Sequence, residues 1–113
     1  MPEYDLHLEL NMKDKLLSDA VQQMRTTGSA FALAERDYKL LLRTAALRLR
    51  DQGYAVGMIN LMIYGEPEVA AARFQRDCKE TEHKAVIESI QMLKLQMRLI
   101  ESQIQREWGQ AGR

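Results

Sequence analysis

One stretch of the sequence holds residue types that could do acid–base or nucleophilic chemistry. Asp37 and Asp77 supply carboxylates, Tyr38 a phenol, Cys78 a thiol and His83 an imidazole. The most reactive combination among them would be a thiolate with an imidazole. On one helix, however, the spacing of Cys78 and His83 turns their side chains about 140 degrees away from each other. The pattern therefore predicts no catalytic pair.

Metal and phosphate sites leave other signatures. Pairs such as His-x-x-x-His and Cys-x-x-Cys bring ligands together, and a glycine-rich loop cradles phosphate. The chain has one cysteine, two histidines and no pair of either kind. A glycine-rich phosphate loop is also missing. We therefore expect no metal, no cofactor and no enzymatic activity.

The elements that position these residues are two long helices. From Leu6 to about Asp51 the chain lacks proline and is rich in good helix formers. Apolar residues recur there every seven positions, which is the seam of a coiled-coil helix. Gly53 suits the left-handed residue that ends a helix. A second helix is predicted from about 66 to 108, because Pro67 fits a first turn. Residues 109–113 are expected to fray as a tail.

An antiparallel arrangement about Gly57 makes the two seams coincide. The facing pairs would be Leu10 with Ile104, Leu17 with Met97, Met24 with Ile90, Phe31 with His83, Tyr38 with Arg76 and Ala45 with Val69. Gly28 would face Val86, where a missing side chain permits close approach. The predicted fold is therefore all-α: one domain over 1–113, a long antiparallel helical hairpin with a short apolar connecting helix within 53–65.

A polar layer interrupts the apolar seams. Its members are two Arg-Asp pairs and one tyrosine, namely Arg36, Asp37, Tyr38, Arg76 and Asp77. In the antiparallel register the pairs could form crossed ion pairs, with the Arg76 guanidinium on the Tyr38 ring. We interpret the layer as structural, fixing register, with a binding or catalytic role as the alternative.

The connection between the helices is unusually apolar, since hairpin loops are normally polar. It either folds back onto the helices or meets a partner. We predict a partner-binding tip made of Tyr54, Val56, Met58, Ile59, Leu61, Met62, Ile63 and Tyr64. A second apolar stripe on the later helix predicts assembly into a homo-oligomer, a dimer or higher, and consists of Phe74, Met92, Leu95 and Leu99.

Charge gives weaker guidance. Lys plus Arg equals Asp plus Glu at 16 each, so no net field favours nucleic acid. A basic row of Arg36, Lys39, Arg43 and Arg50 could still follow a phosphate backbone. Interspersed acids favour a solvated mixed-charge face instead. The single Cys78, the lack of a secretory leader and the lack of a long apolar run predict a cytoplasmic protein without a membrane span.

Several short runs carry a resemblance to a known group. They are 35–38 (Glu-Arg-Asp-Tyr), 65–69 (Gly-Glu-Pro-Glu-Val), 73–77 (Arg-Phe-Gln-Arg-Asp), 94–96 (Lys-Leu-Gln) and 104–108 (Ile-Gln-Arg-Glu-Trp). From about Lys13 to Trp108 the chain resembles small uncharacterised helical proteins encoded by phages and prophages of Gram-positive bacteria. The resemblance implies an accessory protein acting in the host cytoplasm.

The functional prediction is a non-enzymatic oligomeric interaction or scaffold protein. Two alternatives stay open: a nucleic-acid-binding accessory protein of phage replication or recombination, and an inhibitor or adaptor of a host protein.

Overall fold

The chain folds into helices joined by a tight connection. The computed structural model describes residues 5–111, a range that contains no strand. Helix α1 spans Leu6–Asp51, α2 spans Val56–Met62 and α3 spans Pro67–Ala111, and a 3-10 turn over Ile63–Gly65 links α2 to α3. The predicted all-α class, with two long helices packed against each other as a hairpin, is confirmed.

One predicted boundary is wrong. Residues 109–111 were expected to fray, yet they continue α3. A single glycine inside a helix costs only about 1 kcal/mol relative to alanine, so Gly109 by itself is a weak stop signal when no proline follows. The rest of the predicted tail, residues 112 and 113, lies outside the described residues.

Local hydrogen bonds explain where α1 begins and ends. The Leu8 backbone N–H donates to Asp5 Oδ1 at 3.0 Å, which makes Asp5 the N-cap. At the other end Gly53 adopts φ +95°. The Gly53 N–H donates to the Arg50 carbonyl at 2.9 Å, and the Tyr54 N–H donates to the Leu49 carbonyl at 3.2 Å. This pair of bonds is a Schellman motif, which needs a left-handed residue at the glycine.

The start of α3 is tied to the end of α1 by charge. Pro67 occupies the first helical position, and Glu68 lies in the first turn, where the helix dipole favours an acid. Arg48 Nη2 contacts Glu66 Oε2 at 3.4 Å and Glu68 Oε1 at 2.9 Å. One arginine therefore holds both acids that flank the proline.

The chain is organised in two compact units. Among the described residues, unit 1 comprises 5–25 and 84–111, and unit 2 comprises Thr26–His83. Each unit contains a segment of α1 packed on a segment of α3, and unit 2 also contains α2 and the 3-10 turn. The assignment of one domain to the whole chain stays a prediction.

Each unit has its own small core. In unit 2 the buried members are Tyr38, Ala45, Leu49, Ile59, Ile63 and Val69. In unit 1 they are Ala20, Val86 and Ile90, with Leu17, Val21, Met24 and Leu93 packed against them. Two of the predicted facing pairs, Ala45 with Val69 and Met24 with Ile90, thus share a core cluster in their own unit.

Candidate functional site

The connecting segment is two-sided. Ile59 and Ile63 are buried, and Met62 packs against the same cluster of unit 2. At about 100 degrees per residue, positions three and four apart share one face of a helix, so these three side chains point the same way, towards the core. The predicted partner-binding tip is therefore wrong for Ile59, Met62 and Ile63, because they fold back into the protein's own core.

The other face of the connection is exposed. Tyr54, Val56, Met58, Leu61 and Tyr64 keep 42–80% of their surface accessible. The sequence left open whether the segment folds back or meets a partner. In the structure one face of the segment packs on the core of unit 2. The predicted role of a partner surface therefore remains only for the exposed face.

The Arg-Asp repeat does not form crossed ion pairs. Arg36 Nη2 lies 3.3 Å from the neighbouring Asp37 Oδ1, and Arg76 Nη2 lies 2.8 Å from the neighbouring Asp77 Oδ1. Each arginine thus bonds the acid next to it on its own helix. The side chains of the two aspartates are more than half exposed, so water also solvates them. An ion pair with the arginine of the other helix would therefore add little stability.

The contact between Arg76 and Tyr38 is present as predicted. The Arg76 Cζ atom lies 4.6 Å from the centroid of the Tyr38 ring, and Tyr38 is buried. Arg76 also reaches Glu35 across the helices at 3.8 Å. The hydrogen bond to the Asp77 carboxylate raises the pKa of Arg76 above its ordinary value. These contacts agree with a structural role in register.

His83 packs in a small site on α1. Its Nδ1 is hydrogen-bonded to the Thr27 hydroxyl at 3.0 Å, and its ring lies 6.4 Å from the Phe31 ring between centroids. A Cβ built on Gly28 would lie 3.1 Å from His83 Cε1. Gly28 therefore makes room for the imidazole, whereas the sequence had assigned this role to a contact with Val86.

Cys78 is a free, partly exposed thiol.

The sequence contains a Glu80-Thr81-Glu82-His83 run, a Glu-x-x-His spacing that some metal sites use. No group of three or more His, Cys, Asp or Glu side chains suited to a metal ion occurs within residues 5–111. His83 is instead engaged by Thr27.

The four residues of the basic row differ in whether an acidic side chain lies near them. Arg36 contacts Asp37, and Lys39 Nζ lies 3.9 Å from Glu35 Oε1. Within the part of the chain that the structure describes, Arg43 and Arg50 make no ion pair. Two of the four basic side chains thus have an acidic side chain nearby, and their role as a nucleic-acid patch stays a prediction.

Tertiary structure brings two of these cations to the connecting segment. A cleft of about 310 Å³ opens between α1 and the α2 region of unit 2. Lys39 and Arg43 line it from α1, and Asn60 and Tyr64 line it from the connection. The sequence treated the basic row and the apolar tip as separate candidates, and the fold places members of both around one cavity.

The predicted oligomer stripe is exposed throughout. Phe74, Met92, Leu95 and Leu99 each keep 52–66% of their surface accessible. Within unit 1 the last three follow one another at spacings of three and four residues on α3, which places them along one helix face.

Sequence reasoning missed another exposed row, in unit 2. Leu33, Leu40 and Leu47 recur every seven residues on α1, and each is about half exposed. Counting the heptad outside the main seam would have found them. Leu33 also lines an open groove of about 610 Å³, and four of the other lining residues are alanines, namely Ala30, Ala34, Ala71 and Ala72. A search of the sequence for large apolar side chains does not find such a groove, because alanine side chains are small.

None of the helices within residues 5–111 is both long and apolar enough to span a membrane. Comparison of the chain with known protein families, with curated proteins and with solved structures found no match.

Proposed function

We propose that this protein is a non-enzymatic helical interaction protein that self-associates through the outer face of α3. The observation that carries the proposal is the exposure of Met92, Leu95 and Leu99, more than half of each side chain, along one face of unit 1. Burying such a row removes apolar surface from water at roughly 25 cal/mol per Å². A helix with apolar residues on two sides is stabilised by a second neighbour.

A second copy of the same helix is the partner that fits this face best. If two copies of α3 run antiparallel with Leu95 opposite Leu99 of the second copy, Glu88 comes opposite Arg106 of the second copy. Both residues are exposed, and neither makes an ion pair within the described residues. Two-fold symmetry repeats each contact, so the interface has an apolar centre and an opposite-charge pair at each end.

Light scattering coupled to gel filtration tests the proposal directly. The wild-type chain is expected at twice its 13.1 kDa mass. The double variant Leu95→Glu/Leu99→Glu is expected at the monomer mass, because four carboxylates would meet at the interface. Leu33→Glu/Leu40→Glu is the matched control, since these leucines are similarly exposed but lie on α1. A wild-type monomer at high concentration would contradict self-association.

A charge swap tests the antiparallel register. Glu88→Arg and Arg106→Glu should each raise the dimer dissociation constant about three- to tenfold, since each places like charges together at both ends. The double swap should restore affinity. If the double swap is as weak as the single variants, the register is wrong even if the protein dimerises.

The biological setting is a further part of the proposal. The resemblance to phage and prophage proteins supports an accessory role in the host cytoplasm, and the single Cys78 is compatible with a reducing compartment. Nucleic-acid binding is a weaker candidate, because Arg36 already contacts Asp37 and the chain carries no net positive charge. A role as an inhibitor or adaptor of a host protein would use the exposed face of the connection, from Tyr54 to Tyr64.

A further inference from the structure

The cleft beside the connecting segment is charged on its rim and apolar on its floor. Lys39 and Arg43 contribute two positive charges, and no acidic residue lines the cavity. Asn60 adds an amide and Tyr64 a phenol, both of which can donate hydrogen bonds. Such a rim favours an anion.

The cations are available to a ligand. Arg43 makes no ion pair within residues 5–111. Lys39 is largely exposed, and its contact with Glu35 is long at 3.9 Å. Glu35 is shared with Arg76, which it approaches at 3.8 Å. A surface ion pair of this kind contributes little, so Lys39 can turn to a bound anion at small cost.

A third cation, Arg73, lies close to the ring of Tyr64. The Arg73 Cζ atom is 5.7 Å from the centroid of the Tyr64 ring, close enough for a cation–π contact. This contact favours one orientation of the Tyr64 ring and adds positive potential near its phenol. Unlike Arg36, which contacts Asp37, Arg73 makes no ion pair within the described residues.

The floor and size of the cleft add a second requirement. Leu42, Ala46 and Ile63 make the floor apolar, and the volume of about 310 Å³ is at the lower end of the range for small-molecule sites. A bare phosphate ion would leave that floor uncovered. A ligand that carries both an anionic group and an apolar group would satisfy the rim and the floor together.

We propose that this cleft binds a small organic anion, in which a phosphate or carboxylate group is attached to an apolar group. The anionic group contacts Lys39 and Arg43 and accepts from Asn60 or Tyr64, and the apolar group covers Leu42 and Ile63. The site belongs to unit 2 and uses none of the α3 residues proposed for self-association, so either proposal can hold without the other.

Nuclear magnetic resonance titration of the ¹⁵N-labelled full chain tests the site. The probes are phenyl phosphate, benzoate, inorganic phosphate and a short DNA duplex. Phenyl phosphate or benzoate is expected to give saturable shifts at the amides of Arg43, Asn60 and Tyr64, with a dissociation constant of about 1 mM or tighter. The two organic probes separate the phosphate and carboxylate forms of the ligand. Inorganic phosphate should bind at least about fivefold more weakly, because it leaves the floor uncovered.

The basic row offers matched controls. Lys39→Gln and Arg43→Gln should each weaken organic-anion binding about five- to tenfold, a loss in line with hydrogen bonds to charged groups. Arg36→Gln and Arg50→Gln remove the same charge from α1 at residues that do not line the cleft, and should leave binding unchanged. All four side chains are exposed, so folding, checked by circular dichroism, should be retained.

Three results would overturn the proposal. The first is the absence of saturable shifts at the connecting segment with either organic probe in the millimolar range. The second is an equal loss of binding in all four glutamine variants, which would indicate general attraction of anions to α1. The third is tighter binding of the DNA duplex with the same dependence on all four residues, which would indicate a nucleic-acid surface instead.

Discussion

The imidazole of His83 on α3 lies against Gly28 on α1, so close that a Cβ at Gly28 would sit 3.1 Å from His83 Cε1. The two residues have complementary shapes: one helix lacks a side chain where the other presents a ring. The Thr27 hydroxyl then bonds the ring nitrogen at 3.0 Å, which orients the imidazole in that space. Helix contact in this part of unit 2 therefore depends on a residue that is intrinsically poor in helices.

Substitution of Gly28 should show two opposing effects. Gly28→Ala gains up to about 1 kcal/mol of helix propensity but forces the His83 ring to move, so the net change in the free energy of unfolding should be well below that gain. In a His83→Ala background the full gain should appear. Urea denaturation of the four proteins measures this coupling. Equal effects of Gly28→Ala in both backgrounds would show that the ring does not constrain Gly28.

Two glycines of the connection, Gly53 and Gly57, should respond to substitution in opposite directions. Gly53→Ala should destabilise the protein by about 1 kcal/mol, because Gly53 has φ +95° and a Cβ is strained there. Gly57 lies inside α2 with open space around it, so Gly57→Ala should stabilise by up to about 1 kcal/mol. Thermal unfolding compares the two. A loss of stability in both variants would argue against the described α2 geometry.

The two faces of the connection should differ sharply in stability. Ile63→Ala removes a buried side chain of the unit 2 core and should cost about 2–4 kcal/mol. Leu61→Ala changes a side chain that is 80% exposed and should stay within about 0.5 kcal/mol of wild type. Urea denaturation provides both values. Partner-capture experiments should accordingly use Leu61 and Val56, since changes at Ile59 or Ile63 would disturb the fold itself.

The repeated Arg-Asp pair provides an internal control for the cation–π contact. Arg76→Met should lower the melting temperature, because it removes the contacts with Tyr38 and Glu35. Arg36→Met should have a smaller effect, since the only ion pair of Arg36 in the described chain is with the adjacent, exposed Asp37. Similar melting temperatures for both variants would mean that the Tyr38 contact adds nothing measurable.

Much of the fold follows from periodicity. The bounds of α1 are predicted by three features: the seven-residue ladder, the lack of proline within it, and the presence of Gly53 just after it. Pro67 marks the start of α3 within one residue. The contacts of Tyr38 with Arg76 and of Phe31 with His83 also follow from the antiparallel register. These features depend on local hydrogen bonding and on which face of each helix is apolar, and the order of residues determines both.

Other features depended on how atoms meet in three dimensions. The Arg-Asp repeat is compatible with crossed or local pairs, and only the positions of the carboxylates showed that each arginine bonds its neighbour. The end of α3 was misplaced because Gly109 could stop a helix or be tolerated in one. In both cases alternatives of similar energy share one sequence pattern, so the pattern cannot choose between them.

The sequence by itself determined that the connection is unusually apolar for a hairpin loop and that cations occur along α1. Only the tertiary structure decided that Ile59 and Ile63 enter the core while Leu61 stays exposed, and that Lys39 and Arg43 meet Asn60 and Tyr64 at one cleft. The physical reason is that the rotation of the short α2 about its axis is set by packing against Leu49 of α1 and Val69 of α3, which share its core cluster. Composition reports how much apolar surface there is, and packing decides which part of it is buried.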